Sequence, residues 1–148
     1  MKNRAAPVDR DFPDLSLAAA SRFVAALGLI FDEVGEERVI GHLELGPVHR
    51  NAAGAVHGGV YSTVVERAAS VGASYAVASQ GKIAVGVHNS TDIFDTRARG
   101  LTHVVALPLF RGGLQQLWAV DLRSAEDVPL AYGTLRLQIV TRRVAEPG

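Results

Sequence analysis

The pattern of hydrophobic positions divides the chain into two helical stretches and six extended ones. The first helical stretch, residues 14–27, is rich in alanine and leucine, follows Pro13 and stops at Gly28. Proline at the start of a helix and glycine just past its end are common boundary residues. The second stretch, residues 59–78, is dominated by valine and alanine. Its length predicts a central helix of about 30 Å.

The extended stretches predict an antiparallel sheet. The first two form a β-hairpin around an acidic turn, and the other four are separated by glycine-containing or acidic turns. Their ranges are 29–34, 38–45, 83–94, 101–110, 114–124 and 129–141. A twisted sheet of five or six strands curls naturally around one buried helix. The predicted fold class is therefore α+β, with one domain over residues 12–143, a flexible arm at 1–11 and a tail at 144–148.

Composition narrows the classes of function. Basic and acidic residues number 15 each, so no net charge draws nucleic acid or an anionic membrane to the surface as a whole. Cysteine is absent, which excludes disulfides and thiolate metal sites. The apolar runs end well before the roughly 20 residues that a membrane span requires. We expect a cytoplasmic protein without nucleic-acid or membrane partners.

A loop containing glycine and histidine leads directly into the central helix. Residues 48–59 lack the period of a helix or strand and include Asn51, His57, Gly58 and Gly59. Glycines at a helix start allow close approach to the backbone, and the unpaired amides there can stabilise a developing oxyanion. This loop is a candidate site for polarising a carbonyl group.

One acidic residue, Glu66, interrupts the apolar surface of the central helix. A buried carboxylate is costly unless it is paired or used. It belongs to a polar stripe that recurs every four residues, Ser62, Glu66, Ser70 and Ser74. Ser70 is one turn beyond Glu66 and can hydrogen-bond its carboxylate. Taken alone, however, an acid beside Arg67 is more often a solvent-facing residue than a catalyst, and the stripe is then an exposed face.

The interval between the loop and the acid resembles a known pattern. His-Gly-Gly at 57–59, an acid nine positions after the histidine and Asn51 six positions before it are similar to hotdog thioesterases of the phenylacetate-pathway and aryl-CoA (4-hydroxybenzoyl-CoA) type. Residues 108–118, with a Pro-Leu pair, a glycine turn and a Gln-x-Trp element, resemble the 1,4-dihydroxy-2-naphthoyl-CoA thioesterases. The likeness covers about residues 27–141.

The resemblance implies a fold, a reaction and a site. The fold is a hotdog, an antiparallel sheet wrapped around a long central helix, and the reaction is hydrolysis of an acyl- or aroyl-CoA thioester to free acid and CoA. Glu66 is the implied nucleophile or general base, and Asn51 holds the attacking water or the thioester. His57 and the Gly58 amide polarise the carbonyl, and Ser70 assists. Candidate substrate-binding residues are Gly59, Tyr61, Phe94, Arg111 and Trp118.

The resemblance also implies partners. Members of the family place the carboxylate of one subunit against the loop of its partner, which implies a homodimer, or a tetramer built as a dimer of dimers. Thioesters need no metal because the thiolate leaves readily, and the five histidines show no ligand spacing. We expect no cofactor beyond the CoA of the substrate. Candidates for binding its phosphates are Arg97, Arg99, Arg111 and Arg123.

Two departures and two alternatives accompany this hypothesis. Asn51 stands where the aryl-CoA relatives have Gln, and residues 85–93 lack the histidine expected near Ile93. A hotdog dehydratase or hydratase has an Asp five positions before the histidine, where this chain has Ala52. A non-catalytic acyl-CoA-binding module keeps the fold and loses the carboxylate, whereas Glu66 is present. Hydrolysis is the preferred interpretation.

Overall fold

The computed structural model describes residues 12–143; the predicted arm and tail, 1–11 and 144–148, lie outside the described residues. Within that range a six-stranded antiparallel sheet wraps around one long helix. The helices are α1 (Arg22–Leu27) and α2 (Gly58–Val77), and short 3₁₀ helices occupy Pro47–His49 and Ala78–Gln80. The strands are β1 (Ile30–Val34), β2 (Val39–Leu45), β3 (Lys82–Ile93), β4 (Gly100–Arg111), β5 (Gln115–Ser124) and β6 (Pro129–Thr141). No helix in the described range is long and apolar enough to span a bilayer.

The order of strands in the sheet leaves β3 at an edge. The order is β1-β2-β4-β5-β6-β3, and neighbouring strands are antiparallel. Within residues 12–143, β3 therefore pairs with β6 alone. The register of that pairing shifts between Gly86 and His88, which is a β-bulge in the middle of the edge strand.

The core lies between α2 and the concave face of the sheet. One side of the helix presents small and β-branched residues that are fully buried, Val64, Val65, Ala68, Ala69 and Ala73. Trp118 of β5, also fully buried, packs against the helix at Gly72, where an added Cβ would lie 2.5 Å from two atoms of its indole ring. Burying this side in the sheet is what holds α2 in place.

The predicted elements agree with the structure except at the first helix. The central helix and the six strands begin and end close to their predicted bounds, and the hairpin is antiparallel. The helix predicted over 14–27, however, forms only at Arg22–Leu27. Ser21 has an extended backbone, and its side chain accepts a hydrogen bond from the Val24 amide, so it caps a helix that starts after it. The predicted stop is right, since Gly28 ends α1 in the left-handed conformation.

Candidate active site

His57 caps the start of α2. Its Nδ1 accepts a hydrogen bond from the Gly59 amide at 3.0 Å. An accepting Nδ1 leaves the proton of the neutral ring on Nε2, so the exposed ring can donate from Nε2 to a ligand. The Gly58 amide is the first of the helix and by its position has no intrahelical acceptor. Two donors suited to a carbonyl oxygen thus lie at one helix end.

Asn51 organises the loop before the helix. Its Oδ1 accepts hydrogen bonds from the Ala53 and Ala55 amides at 3.0 and 3.1 Å. The side-chain oxygen is therefore committed to the loop, and the Nδ2 group is what Asn51 has to offer a substrate or water. Its role in catalysis remains a prediction.

Arg50 anchors the same loop, a role that the sequence did not reveal. Its guanidinium donates to the Gly54 carbonyl at 3.0 Å and to the Ala98 carbonyl at 2.7 Å. The Val56 amide also donates to the Thr96 carbonyl at 2.7 Å. The loop is consequently tied to the turn between β3 and β4, which fixes the position of the helix start.

The carboxylate of Glu66 is half-buried between α2 and β3. Its Oε1 accepts a hydrogen bond from Ser70 Oγ at 3.1 Å, the contact expected from the spacing. The carboxylate lies directly over Gly86 of β3, where an added Cβ would come within 2.6 Å of Oε2 and 2.7 Å of Oε1. Only a residue without a side chain leaves this space. Sequence reasoning missed Gly86, although a lone glycine inside a strand pattern often marks a bulge or a close approach.

The polar stripe of α2 faces β3, so its interpretation as an exposed face is wrong. Ser74 Oγ accepts a hydrogen bond from the Ala84 amide at 3.1 Å, and Asn89 Nδ2 donates to the Ser62 carbonyl at 2.9 Å. Both partners belong to β3. The stripe is half-buried because the edge strand covers it.

Within one chain, the acid and the amide donors are separated. Glu66 lies eight residues after Gly58, which corresponds to about 12 Å along the helix axis. A group that attacks or protonates a carbonyl works at about 3 Å from it. The structure therefore brings His57, Gly58 and Gly59 together at the helix start, and Glu66 with Ser70 two turns away.

Two aromatic residues predicted to line the substrate site are instead in the core. Tyr61 is fully buried, and its hydroxyl donates to the Asp95 carbonyl at 2.7 Å. Burial, with a smaller contribution from Asp95, raises the pKa of Tyr61 to about 12, so the hydroxyl stays a neutral donor. Trp118 is fully buried, and its Nε1 donates to Gln116 Oε1 at 2.7 Å. Both side chains hold elements together, and a substrate could reach them only if neighbours moved.

The remaining predicted residues lie at opposite ends of the sheet. Phe94 is 60% exposed and follows Ile93, whose side chain approaches Gly58 at the helix start. Arg111 is the last residue of β4. The first residue, Gly100, pairs with Leu45, which lies just before the loop in the chain. Twelve residues of strand separate the two ends by about 36 Å. Arg111 is also paired with Glu37, so one chain does not bring it to the loop.

The other arginines proposed to bind the CoA phosphates also differ in their distance from the loop and in their ion pairs. Arg123 is engaged by Asp121 at 2.8 Å and by Asp127 at 3.5 Å. Arg97 and Arg99 are exposed in the turn next to the loop. Residues 12–143 contain no group of three or more histidine or acidic side chains arranged to hold a metal ion.

Comparison with known proteins places this geometry in a family. No family model matches the chain. A Mycobacterium tuberculosis protein named "putative esterase Rv1847" is 37% identical over 123 residues, which is 82% of this chain and 88% of that one. Its solved structure covers 84% of this chain and 100% of its own, with a TM-score of 0.78.

Two further proteins carry thioesterase names. The 1,4-dihydroxy-2-naphthoyl-CoA thioesterase 2 of Arabidopsis thaliana is 36% identical over 103 residues, 68% of this chain and 63% of the plant protein. The structure of thioesterase HI1161 from Haemophilus influenzae has a TM-score of 0.78 at 21% identity, over 91% of this chain and 97% of its own, and shows the likeness of fold. With its sheet wrapped around α2 and its identity to Rv1847 over most of both chains, the chain belongs to the hotdog-fold esterase and thioesterase family.

Proposed function

We propose that this protein hydrolyses an acyl- or aroyl-CoA thioester to the free acid and CoA, with Glu66 as the catalytic carboxylate. The observation that carries the proposal is the placement of that carboxylate, half-buried over the backbone of Gly86 and held by Ser70. A carboxylate withdrawn from water in this way is costly to fold unless it is used. The plant relative, whose name specifies a CoA thioester, supports the substrate class.

The proposed mechanism uses the two donor groups at the helix start. The thioester oxygen accepts hydrogen bonds from the Gly58 amide and His57 Nε2, which stabilise the negative charge that develops on it. Glu66 either attacks the carbonyl carbon or takes a proton from a water molecule that attacks, with Asn51 Nδ2 positioning the water. The tetrahedral intermediate then expels CoA as a thiolate, and the C–S bond breaks. Where Glu66 has taken a proton from the attacking water, the acid is released directly and that proton neutralises the thiolate. Where Glu66 has attacked, the acyl group is left on it as a mixed anhydride; a water molecule then attacks the anhydride carbonyl, the acid leaves, the carboxylate is regenerated, and the proton of that water neutralises the thiolate.

A second copy of the chain completes the proposed site. About 12 Å separates Glu66 from its own Gly58 amide, which is too far for one carbonyl to contact both. The Glu66 carboxylate lies over β3, an edge strand that can pair with another strand on its free side. Antiparallel pairing of β3 with β3 of a second copy brings the loop of one subunit toward the acid of the other.

Exposed apolar side chains support this assembly. On β3 they include Val85 and Val87, which are 44% and 53% exposed. On the outer face of the sheet, Leu107 and Leu109 of β4 are 46% and 56% exposed. Large apolar side chains exposed next to one another are typical of an interaction surface. The edge of β3 fits a dimer contact, and the outer face fits a contact between dimers.

The test is release of free CoA from acetyl-, hexanoyl-, palmitoyl- and benzoyl-CoA by the wild type and by Glu66→Gln. We expect the wild type to hydrolyse at least one ester, and Glu66→Gln to lower kcat by about 10²–10⁴ with little change in KM. Glu126→Gln, an exposed acid in the turn between β5 and β6, is the control and should behave as wild type. Near wild-type turnover in Glu66→Gln would contradict the assignment. Tight binding of the esters without turnover would favour an acyl-CoA-binding module instead.

A further inference from the structure

A cavity of about 400 Å³ lies beside α2, between the helix and the segment that precedes it in the chain. Its floor is a stripe of the helix formed by Arg67, Ser70, Val71 and Ser74, and it continues to Ala78 just beyond the end of the helix. The opposite wall is the segment from Phe12 to Val24, and the start of β3 closes one side. The ring of Phe12 packs edge-on against Tyr75 of α2 at 5.3 Å between centroids, which holds that wall against the helix.

The cavity is connected to the proposed catalytic carboxylate through Ser70. Ser70 lines it and also donates the hydrogen bond to Glu66. A thioester whose carbonyl carbon lies at Glu66 can therefore extend its acyl group past Ser70 into the cavity. The volume is at the lower end of the range for small-molecule pockets, roughly 300–1,000 Å³, and suits an acyl group rather than a whole CoA ester.

The charge of the lining is unusual for a pocket that holds a hydrocarbon. Most of the lining residues within 12–143 are apolar, but they also include the cationic residues Arg67 and Lys82, against one acid, Asp14. The Asp14 carboxylate already accepts a hydrogen bond from the Ser16 amide at 2.8 Å. A lining with excess positive charge favours an anionic ligand.

Arg67 is the cation closest in sequence to the catalytic acid, and its side chain is poorly satisfied. Its guanidinium lies over the ring of Phe31 at 5.6 Å, and burial lowers its pKa, although an arginine stays protonated at neutral pH. Its Nε is buried and has no hydrogen-bond partner among residues 12–143. A buried donor without an acceptor is costly, and a carboxylate is the acceptor that matches a guanidinium.

We propose that this cavity receives the acyl group of the substrate and that Arg67 makes the site selective for acyl groups that end in a carboxylate. The proposal rests on the proposed function, since it requires the acyl group to be delivered at Glu66. Arg67 acts in it as a specificity residue, because it would contact the carboxylate of the acyl group and not the thioester.

The test compares esters that differ only at that end, adipoyl-CoA with hexanoyl-CoA and suberoyl-CoA with octanoyl-CoA. We expect the wild type to show a kcat/KM at least about tenfold higher for the dicarboxylic member of each pair, the value of one good charge-assisted hydrogen bond. Arg67→Met removes the charge, keeps an unbranched side chain and should abolish this ratio, because it lowers kcat/KM for the dicarboxylic member of each pair far more than for hexanoyl- or octanoyl-CoA. Arg67→Lys keeps the charge and should retain part of the ratio.

Inhibition by free acids provides a second measurement that does not depend on the turnover of a dicarboxylic ester. Adipate should inhibit wild-type hydrolysis of hexanoyl-CoA more strongly than hexanoate does, and Arg67→Met should remove the difference. Equal kcat/KM for the members of each pair in the wild type would overturn the proposal while leaving the hydrolase assignment intact. An equal loss for both members in Arg67→Met would also overturn it, and would assign the cation to the CoA phosphates. Failure of the wild type to hydrolyse any ester would instead overturn the proposed function.

Discussion

On each side of α2 a glycine allows a close contact between the helix and the sheet, and the two contacts differ in chemistry. On the core side, Gly72 of the helix lies against the indole of Trp118, and the surrounding residues are apolar and fully buried. On the other side, Glu66 of the helix lies over Gly86 of β3 among half-buried polar groups. The first close approach joins rigid groups in the middle of the sheet. The second joins a flexible carboxylate to the edge strand.

Under the proposed function, this difference separates stability from chemistry within one helix. The core side is packed so tightly that little can change without cost. On the side that faces β3, a serine and a carboxylate occupy positions where apolar residues of the same size would contribute more to stability. The same one-carbon change at the two glycines should therefore affect two different properties.

Gly86→Ala should produce the largest effect of these substitutions, and the property that it changes is the catalytic activity. The new Cβ would lie 2.6 Å from Glu66 Oε2, so the carboxylate must move, which a flexible side chain does at little cost in stability. A displacement of about 1 Å at a reacting group can lower the rate by about 10². We expect kcat to fall by about that factor, with a melting temperature within a few degrees of wild type. Gly113→Ala, whose Cβ meets nothing within 4 Å, is the control and should leave both unchanged.

Gly72→Ala should show the reverse. Its Cβ would lie 2.5 Å from two atoms of the Trp118 ring and 2.9 Å from Val39 Cγ2, and neither the buried indole nor the buried β-branched side chain can yield easily. Overpacking of this kind costs about 1–3 kcal/mol, against a gain of about 1 kcal/mol from replacing glycine in a helix. Urea unfolding should show a lower free energy of unfolding, while kcat per folded molecule stays near wild type. Loss of kcat without loss of stability would show that the two sides of the helix are not separable in this way.

Ser70→Ala should give the smallest effect. It removes the hydrogen bond at 3.1 Å to Glu66 Oε1 but leaves the carboxylate over Gly86. A hydrogen bond to a charged group is worth about 1.5 kcal/mol or more, so we expect kcat to fall by about tenfold, measured as release of CoA. Ser70→Thr should retain most of the activity, because it keeps the hydroxyl. A loss as large as that of Glu66→Gln would give Ser70 a part in the reaction itself.

The sequence predicted the fold, and it missed the features of the candidate site that depend on contacts between distant parts of the chain. The length of the apolar stretch in α2 and the turn residues between the strands predicted the bounds of these elements to within a residue or two, because the local pattern determines them. Residues 14–21 have the composition of a helix, but capping by Ser21 excludes them from it. The direction of the polar stripe could not be known before the position of β3 was known.

Single residues show the same limit. Gly86 matters only because Glu66 lies above it, and Arg111 is held far from the loop only because β4 is twelve residues long. Tyr61 occurs in the motif that resembles the family, yet its side chain points into the core. Spacing along the chain identifies which residues are candidates. The arrangement of the strands in the sheet decides which of these candidates come into contact.

The central claim is that Glu66 of one subunit acts with the amide of another, and it needs a variant that removes that amide alone. Gly58→Pro does so at the first helical position, where proline is tolerated and where the preceding residue, His57, has an extended backbone that proline accepts. Gly58→Ala adds the same contact with Ile93 and keeps the amide. We expect Gly58→Pro to lower kcat by about 10²–10³ and Gly58→Ala to retain near wild-type kcat.

The most direct test is to assemble mixed dimers from Glu66→Gln and Gly58→Pro subunits, each of which is almost inactive alone. If each site takes its carboxylate from one subunit and its amide from the other, half of the dimers contain one intact site, and release of CoA should recover to about a quarter of the wild-type rate. If both groups act within one chain, no intact site can form. Activity that stays at the level of the separate variants, in a preparation shown by mass spectrometry to contain mixed dimers, would contradict the account.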